Sequence, residues 1–249
     1  MEEPQVVRML KRDQLGSVEL LDGPAGPAVR RIAGGGRVPG SRGVALLLRR
    51  RERIALARLD GVPGVARLLD LPAYAAAPAA DGTPPRRAAV LLRTWLAGVP
   101  LHAAERLPAD FFDRLADLVR GLHARGVCHN DLHKEPNVIV APDGRPQLVD
   151  FQLASVHPRG GRTFRVRARE DLRHVAKLRS RYLAAGGRAA EVAGGAGPGR
   201  RSPLAAAWRH LGKPVYNLVT RRLLHAADGE PRRPATGPWP RWDPPLEAR

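Results

Sequence analysis

The chain is poor in cysteine and in lysine. Cys128 is its single cysteine, which excludes an intramolecular disulfide and agrees with a reducing compartment. Only Lys11, Lys134, Lys177 and Lys213 among the 42 basic residues are lysine, and the formal net charge is +18. An excess of arginine of this size favours anionic partners such as a nucleotide, a phosphorylated glycolipid or an anionic membrane. No motif for sequence-specific nucleic-acid binding accompanies the charge.

Long apolar runs are also absent. No run approaches the roughly 18 residues that a membrane span needs, and Glu2 and Glu3 oppose a signal peptide. These features predict a cytoplasmic protein. Residues 203–224 combine aromatic, apolar and arginine side chains, as an interfacial membrane helix does. This segment could therefore give peripheral contact with the inner membrane or dock on the rest of the chain.

A turn signal at Pro142-Asp143-Gly144 separates two short apolar runs, Val138 to Val140 and Leu148-Val149. This pattern predicts a β-hairpin. Asn137 would precede its first strand, and Asp150 would follow its second. Antiparallel pairing brings these ends together, and an amide oxygen beside a carboxylate is a donor set suited to Mg²⁺.

Two further polar residues, His129 and Asp131, precede the hairpin. Asp131 is placed to orient a hydroxyl, as phosphoryl transfer requires, and His129 is expected to have a structural role. The order and internal spacing of His129, Asp131, Asn137 and Asp150-Phe151 resemble those of the catalytic loop and metal-binding turn of the protein-kinase-like superfamily. The wider sequence around these residues resembles RIO-type kinases, lipopolysaccharide-core kinases and small bacterial serine/threonine protein kinases.

The resemblance implies an α+β, two-lobed protein-kinase-like fold. The β-rich N-terminal lobe would span residues 1–94, and the helical C-terminal lobe would span residues 95–228 with a flexible stretch at 184–203. A Pro-rich disordered tail would cover residues 229–249. The resemblance also implies ATP and Mg²⁺ as cofactors and a hydroxyl acceptor. That acceptor could be a protein or a core glycolipid, and a non-catalytic nucleotide-binding scaffold is a further alternative.

Candidate nucleotide contacts lie in the first 60 residues. Gly16-x-Val18 resembles the end of a kinase Gly-rich loop, although Gly16 could be an ordinary hairpin glycine. On the strand after it, Ala28 and Arg30 share one face, so Ala28 would face adenine. Arg30 would take the place of the usual phosphate-binding lysine, or else face solvent. Glu52, on a helix predicted over 44–59, would hold Arg30 or form local ion pairs.

Two helices are predicted in the second half of the chain. The apolar spacing of residues 108–125 predicts an amphipathic helix that leads into the catalytic loop. A second helix is expected to begin near Glu170, where Asp171 either braces the catalytic loop or begins the helix. About twenty residues would then separate Asp150 from this helix. A connection this short favours either constitutive activity or an acceptor other than a folded peptide.

Overall fold

The computed structural model describes residues 3–35 and 39–184. They form a mixed α+β structure, as predicted. The predicted segments at 203–224 and 229–249, and nearly all of 184–203, lie outside the described residues. The strands are β1 Gln5–Asp13, β2 Gly16–Asp22, β3 Ala28–Ala33, β4 Val90–Thr94, β5 Val99–Pro100, β6 Val127–Cys128, β7 Val138–Val140, β8 Pro146–Leu148 and β9 Ser155–Val156. The helices are α1 Ser41–Arg58, α2 Pro72–Ala76, α3 Phe111–Ala124 and α4 Arg162–Ala184.

The N-terminal part is an antiparallel sheet with strand order β1-β2-β3-β4. Only two residues separate β1 from β2, and Gly16 at the start of β2 has a φ of 130°. A Cβ placed on Gly16 would lie 1.9 Å from the carbonyl oxygen of Ile32. Only glycine therefore fits at the close approach between β2 and the end of β3.

Helix α1 packs beside this sheet with a largely small and apolar buried face that also carries one carboxylate. Ala45, Ala55 and Leu56 are buried on it, and Glu52 is completely buried among them. The observed bounds differ from the predicted 44–59 by a few residues at the N-terminal end. A buried carboxylate is costly unless it is paired, so Glu52 points to an ion-pair partner on a neighbouring element.

The main core lies between α3, α4 and the β7–β8 hairpin. Helix α3 contributes fully buried apolar side chains at helical spacing, which confirms the amphipathic helix predicted there. Val138 of β7 pairs with Leu148 of β8, so the predicted hairpin is also confirmed. None of the helices in the described residues has both the length and the apolar composition needed to cross a bilayer.

The expected start of the last helix near Glu170 is wrong. Helix α4 begins at Arg162, which shortens the connection from Asp150. Between them lie the 3₁₀ turn Phe151–Leu153 and β9, which pairs with β6. Asp171 therefore lies in the interior of α4, so it does not begin the helix.

Candidate active site

The catalytic loop follows α3 and holds Asp131 in a nearly closed environment. Asp131 is 2% exposed. The side-chain amide of Asn137 donates to its Oδ2 at 3.0 Å and to its backbone carbonyl at 3.0 Å. Lys134 Nζ lies 3.3 Å from Oδ2, and His133 Nδ1 lies 3.3 Å from Oδ1. Burial raises the pKa of Asp131 to about 6, Asp150 adds to this rise, and Lys134 opposes it.

The expected match to the kinase pattern in internal spacing is wrong, because the loop is one residue longer. Five residues separate Asp131 from Asn137, whereas the kinase pattern has four. The 3₁₀ turn Glu135–Asn137 takes up the extra residue, so Asn137 still reaches Asp131. Glu135 is buried in this turn, where Tyr182 donates to its Oε2 at 2.6 Å and Arg181 lies 2.9 Å from its Oε1.

Asp171 fixes the start of the loop from inside α4. It is completely buried and accepts the backbone N–H groups of His129 at 2.8 Å and Asn130 at 2.9 Å. His123 Nε2 contacts it at 3.1 Å. Asn130 has a positive φ of 65°, a strained conformation for a non-glycine residue. The two hydrogen bonds to Asp171 help to hold that conformation. Of the two alternatives for Asp171, these contacts agree with bracing of the loop rather than with the start of the helix.

His129 is part of the support beneath the site. Its side chain is completely buried, and its ring centroid lies 4.6 Å from that of Phe151. Nε2 lies 3.0 Å from the carbonyl oxygen of Val149. Burial lowers the pKa of His129 in spite of nearby Asp171, so the imidazole is neutral at pH 7 and donates from Nε2. The hydrogen bond ties the loop to the residue before Asp150.

The hairpin brings Asn137 and Asp150 to one edge. The backbone N–H of Val149 donates to the carbonyl of Asn137 at 3.0 Å. Asp150 has a φ of 64°, and its side chain remains 28% exposed. Burial alone would raise the pKa of Asp150, but the charges of Arg31, Lys11 and Lys134 outweigh it, and the pKa is lowered. An ionised carboxylate therefore lies next to a carboxamide at this edge.

A search against protein-family models finds the phosphotransferase enzyme family over residues 47–204, more than half of the chain. The chain belongs to the phosphotransferase enzyme family. No curated protein matches it. Membership establishes a kinase-like phosphotransferase in general, in agreement with the predicted superfamily, and leaves the RIO-type or lipopolysaccharide-kinase subtype open.

In this phosphotransferase the expected pairing of Arg30 with Glu52 is wrong. Arg30 is completely buried on the other face of β3, where Nη2 lies 2.7 Å from Glu19 Oε2. Its Nη1 and Nη2 also donate to backbone carbonyls at Tyr74 and Pro78 at 2.9 Å each. Arg30 thus fastens the segment after α2 to the sheet, and neither the phosphate-contact nor the solvent-facing interpretation holds.

Arg31 takes the position expected for Arg30. Its Nε lies 2.8 Å from Glu52 Oε2, and its Nη2 lies 3.5 Å from Asp150 Oδ1. Arg93 on β4 also approaches Glu52, with its Nε 3.7 Å from Oε1. Glu52 therefore does hold a strand cation, but the cation is Arg31.

The adenine contact expected for Ala28 is affected in the same way, because the face of β3 that carries Arg31 is not the face that carries Ala28. Ala28 packs in a separate apolar cluster with Leu21, Tyr74, Ala77 and Leu92, so it does not share the face of Arg31. Strand alternation places Val29 on that face instead.

Gly16 and Val18 lie beside the site. With Lys11, Asp13 and Arg31 they line a small pocket under the β1–β2 turn. Their contact with nucleotide remains a prediction. The structural role of Gly16 would by itself explain a glycine at this position, because no larger residue fits against Ile32.

Several residues around the site were not predicted as site residues from the sequence: Arg31, Lys11, His133, Lys134, Glu135 and Gln152. Arg31 could have been found, because Arg30 and Arg31 are adjacent and either can face the site. Gln152 stands where the kinase pattern has glycine after Asp-Phe, but its partner Arg31 is distant in the chain. No local pattern marks Glu135, whose partners Arg181 and Tyr182 are also distant in the chain.

Proposed function

We propose that the protein transfers the γ-phosphate of ATP to a hydroxyl group, with Asp131 orienting the acceptor and taking its proton. The observation that carries the proposal is that Asn137 contacts both the loop and the end of the hairpin. Its side-chain amide donates to Asp131, and its backbone carbonyl accepts from Val149, the residue before Asp150. Phosphoryl transfer depends on positioning and charge neutralisation, and this arrangement supports both.

Asn137 and Asp150 suit Mg²⁺ in their donor chemistry. Nδ2 of Asn137 donates to both the backbone carbonyl and the carboxylate of Asp131, so neither of these contacts uses its side-chain oxygen. The low pKa of Asp150 keeps its carboxylate ionised. One amide oxygen and one carboxylate are hard donors of the kind that hold Mg²⁺ beside phosphates. When bound, Mg²⁺ would neutralise phosphate charge and align the transferred group.

Three cations that act on Asp150 would bind the phosphates of ATP. Arg31 lies on β3, Lys134 in the predicted catalytic loop and Lys11 near the end of β1. They reach the edge from three different parts of the chain, as a set of phosphate contacts does. Arg31 in place of lysine brings a planar guanidinium with several N–H donors to this edge, so it can contact phosphate as well as its protein partners.

The acceptor that the geometry supports best is a compact anionic hydroxyl compound, such as the sugar of a phosphorylated core glycolipid. The connection between Asp150 and α4 is short, so it offers little surface for a peptide. Arg162, Arg165 and Arg169 are exposed on the first turns of α4 at helical spacing and add positive charge near its start. A serine or threonine side chain of a protein is the second candidate.

Transfer of labelled γ-phosphate from Mg-ATP tests the proposal. The acceptor pools are extracted membrane glycolipid and soluble proteins, and the variants are Asp131→Asn, Asp150→Ala and the exposed control Asp143→Asn. We expect label in glycolipid with the wild type and the control, and at least about a hundredfold loss in the other two.

Label in protein alone would favour a serine/threonine kinase. Full activity of Asp150→Ala would contradict the assignment of that residue. ATP binding without any transfer would favour the non-catalytic scaffold.

A further inference from the structure

The guanidinium of Arg31 joins three elements of the fold. It extends from β3, forms its shortest ion pair with Glu52 on α1, and approaches Asp150 at the end of the hairpin. These two contacts use Nε and Nη2, so donors on Nη1 remain for another acceptor. A guanidinium carries five N–H donors in a fixed plane, and an acceptor on the Nη side would fix the plane of the group.

Gln152 supplies that acceptor. It lies two residues after Asp150 in the 3₁₀ turn Phe151–Leu153. The end of its side-chain amide lies against Nη1 and Nη2 of Arg31, and these are donors only. We therefore assign the amide with its oxygen towards Arg31, and in that orientation the oxygen accepts from both nitrogens, at 2.6 Å for Nη2. Arg31 is only 15% exposed at its side chain, so these contacts are largely shielded from water. The Arg31 guanidinium is thus held from the Glu52 side and from the Gln152 side.

Gln152 and Arg31 are both departures from the kinase pattern, which has glycine after Asp-Phe and lysine on the strand. The two departures meet in space. A lysine has one nitrogen and can pair with Glu52 without a second acceptor, whereas an arginine would leave buried donors unsatisfied, at a cost. A glycine at position 152 offers no side-chain acceptor.

We propose that Gln152 is a positioning residue for Arg31 and that these two residues form a matched pair. Gln152 holds the guanidinium plane beside Asp150, in the orientation that presents its edge to the phosphates of ATP. The phosphate part of this inference rests on the proposed function. The pairing itself rests on the geometry.

A double-mutant cycle tests the pairing in the protein without nucleotide. The variants are Gln152→Met, which removes the acceptor at similar volume, Arg31→Lys, and both together. We expect Gln152→Met to lower the unfolding midpoint by roughly 3–6 °C in the wild-type background. In the Arg31→Lys background we expect almost no further change. Equal midpoint losses in the two backgrounds would overturn the pairing.

The same four proteins are then titrated with Mg-ATP by calorimetry. We expect Gln152→Met to weaken binding about fivefold to tenfold with Arg31 present, and to have no effect after Arg31→Lys. Gln152→Glu, which keeps an acceptor, should retain most of the affinity.

Unchanged affinity in Gln152→Met would overturn the phosphate role of Gln152. Absence of Mg-ATP binding by the wild type would refute the proposed function and that role with it, whereas the unfolding cycle would still decide the pairing.

Discussion

Replacing Asp131 with asparagine should make the protein more stable at neutral pH while it abolishes transfer. The pKa of Asp131 is about 6 in the folded protein against an ordinary 3.8. The folded protein therefore binds this proton more tightly than the unfolded chain. The resulting stability is present below pH 3.8 and is lost as the pH rises through about 6. Asparagine carries no charge, so the variant escapes this loss.

The size of the effect follows from the shift in pKa. A shift of this size corresponds to about 3 kcal/mol of unfolding free energy at pH 7.5, which would raise the unfolding midpoint by roughly 6–12 °C in a chain of this length. Asparagine can still accept the amide of Asn137 and the ammonium of Lys134, which now contact Oδ2, so the loop keeps its hydrogen bonds. Functional residues often destabilise the fold in this way.

The assay is thermal unfolding of the wild type and Asp131→Asn at pH 7.5 and at pH 4, with chelator and without nucleotide. We expect the difference in midpoint to be large at pH 7.5 and much smaller at pH 4. The matched control is Asp143→Asn, because Arg145 holds the pKa of that exposed carboxyl below its usual range. This control should not be stabilised. Equal midpoints for the wild type and Asp131→Asn at pH 7.5 would refute the reasoning.

Two further predictions concern the supports of the site. Arg31→Met should weaken Mg-ATP binding at least about tenfold, and it should also lower stability because it removes the closer partner of buried Glu52. Arg30→Met should lose about 3 kcal/mol or more of unfolding free energy because it strands buried Glu19, but the folded variant should keep its affinity for Mg-ATP. Calorimetry on the folded variants separates the two, and weakened binding in Arg30→Met with unchanged binding in Arg31→Met would restore Arg30 as the phosphate contact. Asp171→Ala should lower the free energy of unfolding by about 3 kcal/mol in denaturant unfolding, because it leaves two buried N–H groups of the loop without an acceptor. The control, exposed Asp117→Ala, should change stability by less than about 0.5 kcal/mol. Similar losses in both variants would argue against bracing by Asp171.

The local parts of the site could be predicted from the sequence. The β7–β8 hairpin follows from a turn signal between two short apolar runs, and it carries Asn137 and Asp150 to one edge. Helix α3 follows from its apolar spacing. In both cases the deciding interactions are only a few residues apart in the chain, so the pattern contains them.

The choice between Arg30 and Arg31 could not be made locally. A shift of one residue turns every side chain of a strand to the opposite face, and two adjacent arginines suit either register. The choice depends on Glu19 on one face of the sheet and Glu52 on the other. The start of α4 was missed for a different reason: its early turns are rich in arginine and exposed or only partly buried, so no apolar periodicity marks them in the sequence.

The opposite pKa shifts of Asp131 and Asp150 support different roles for these two carboxylates. Burial acts on both, but Asp150 is surrounded by the charges of Arg31, Lys11 and Lys134, and its pKa falls. At Asp131 the charge of Lys134 and the hydrogen bond from Asn137 oppose burial only in part, so the pKa rises to about 6. A carboxylate that stays ionised suits a divalent cation, and a more basic one suits acceptance of a hydroxyl proton near neutral pH. Arg31 and Lys11 of the N-terminal sheet thus have an effect besides the phosphate contacts proposed for them, because they contribute to the difference in basicity between the two carboxylates.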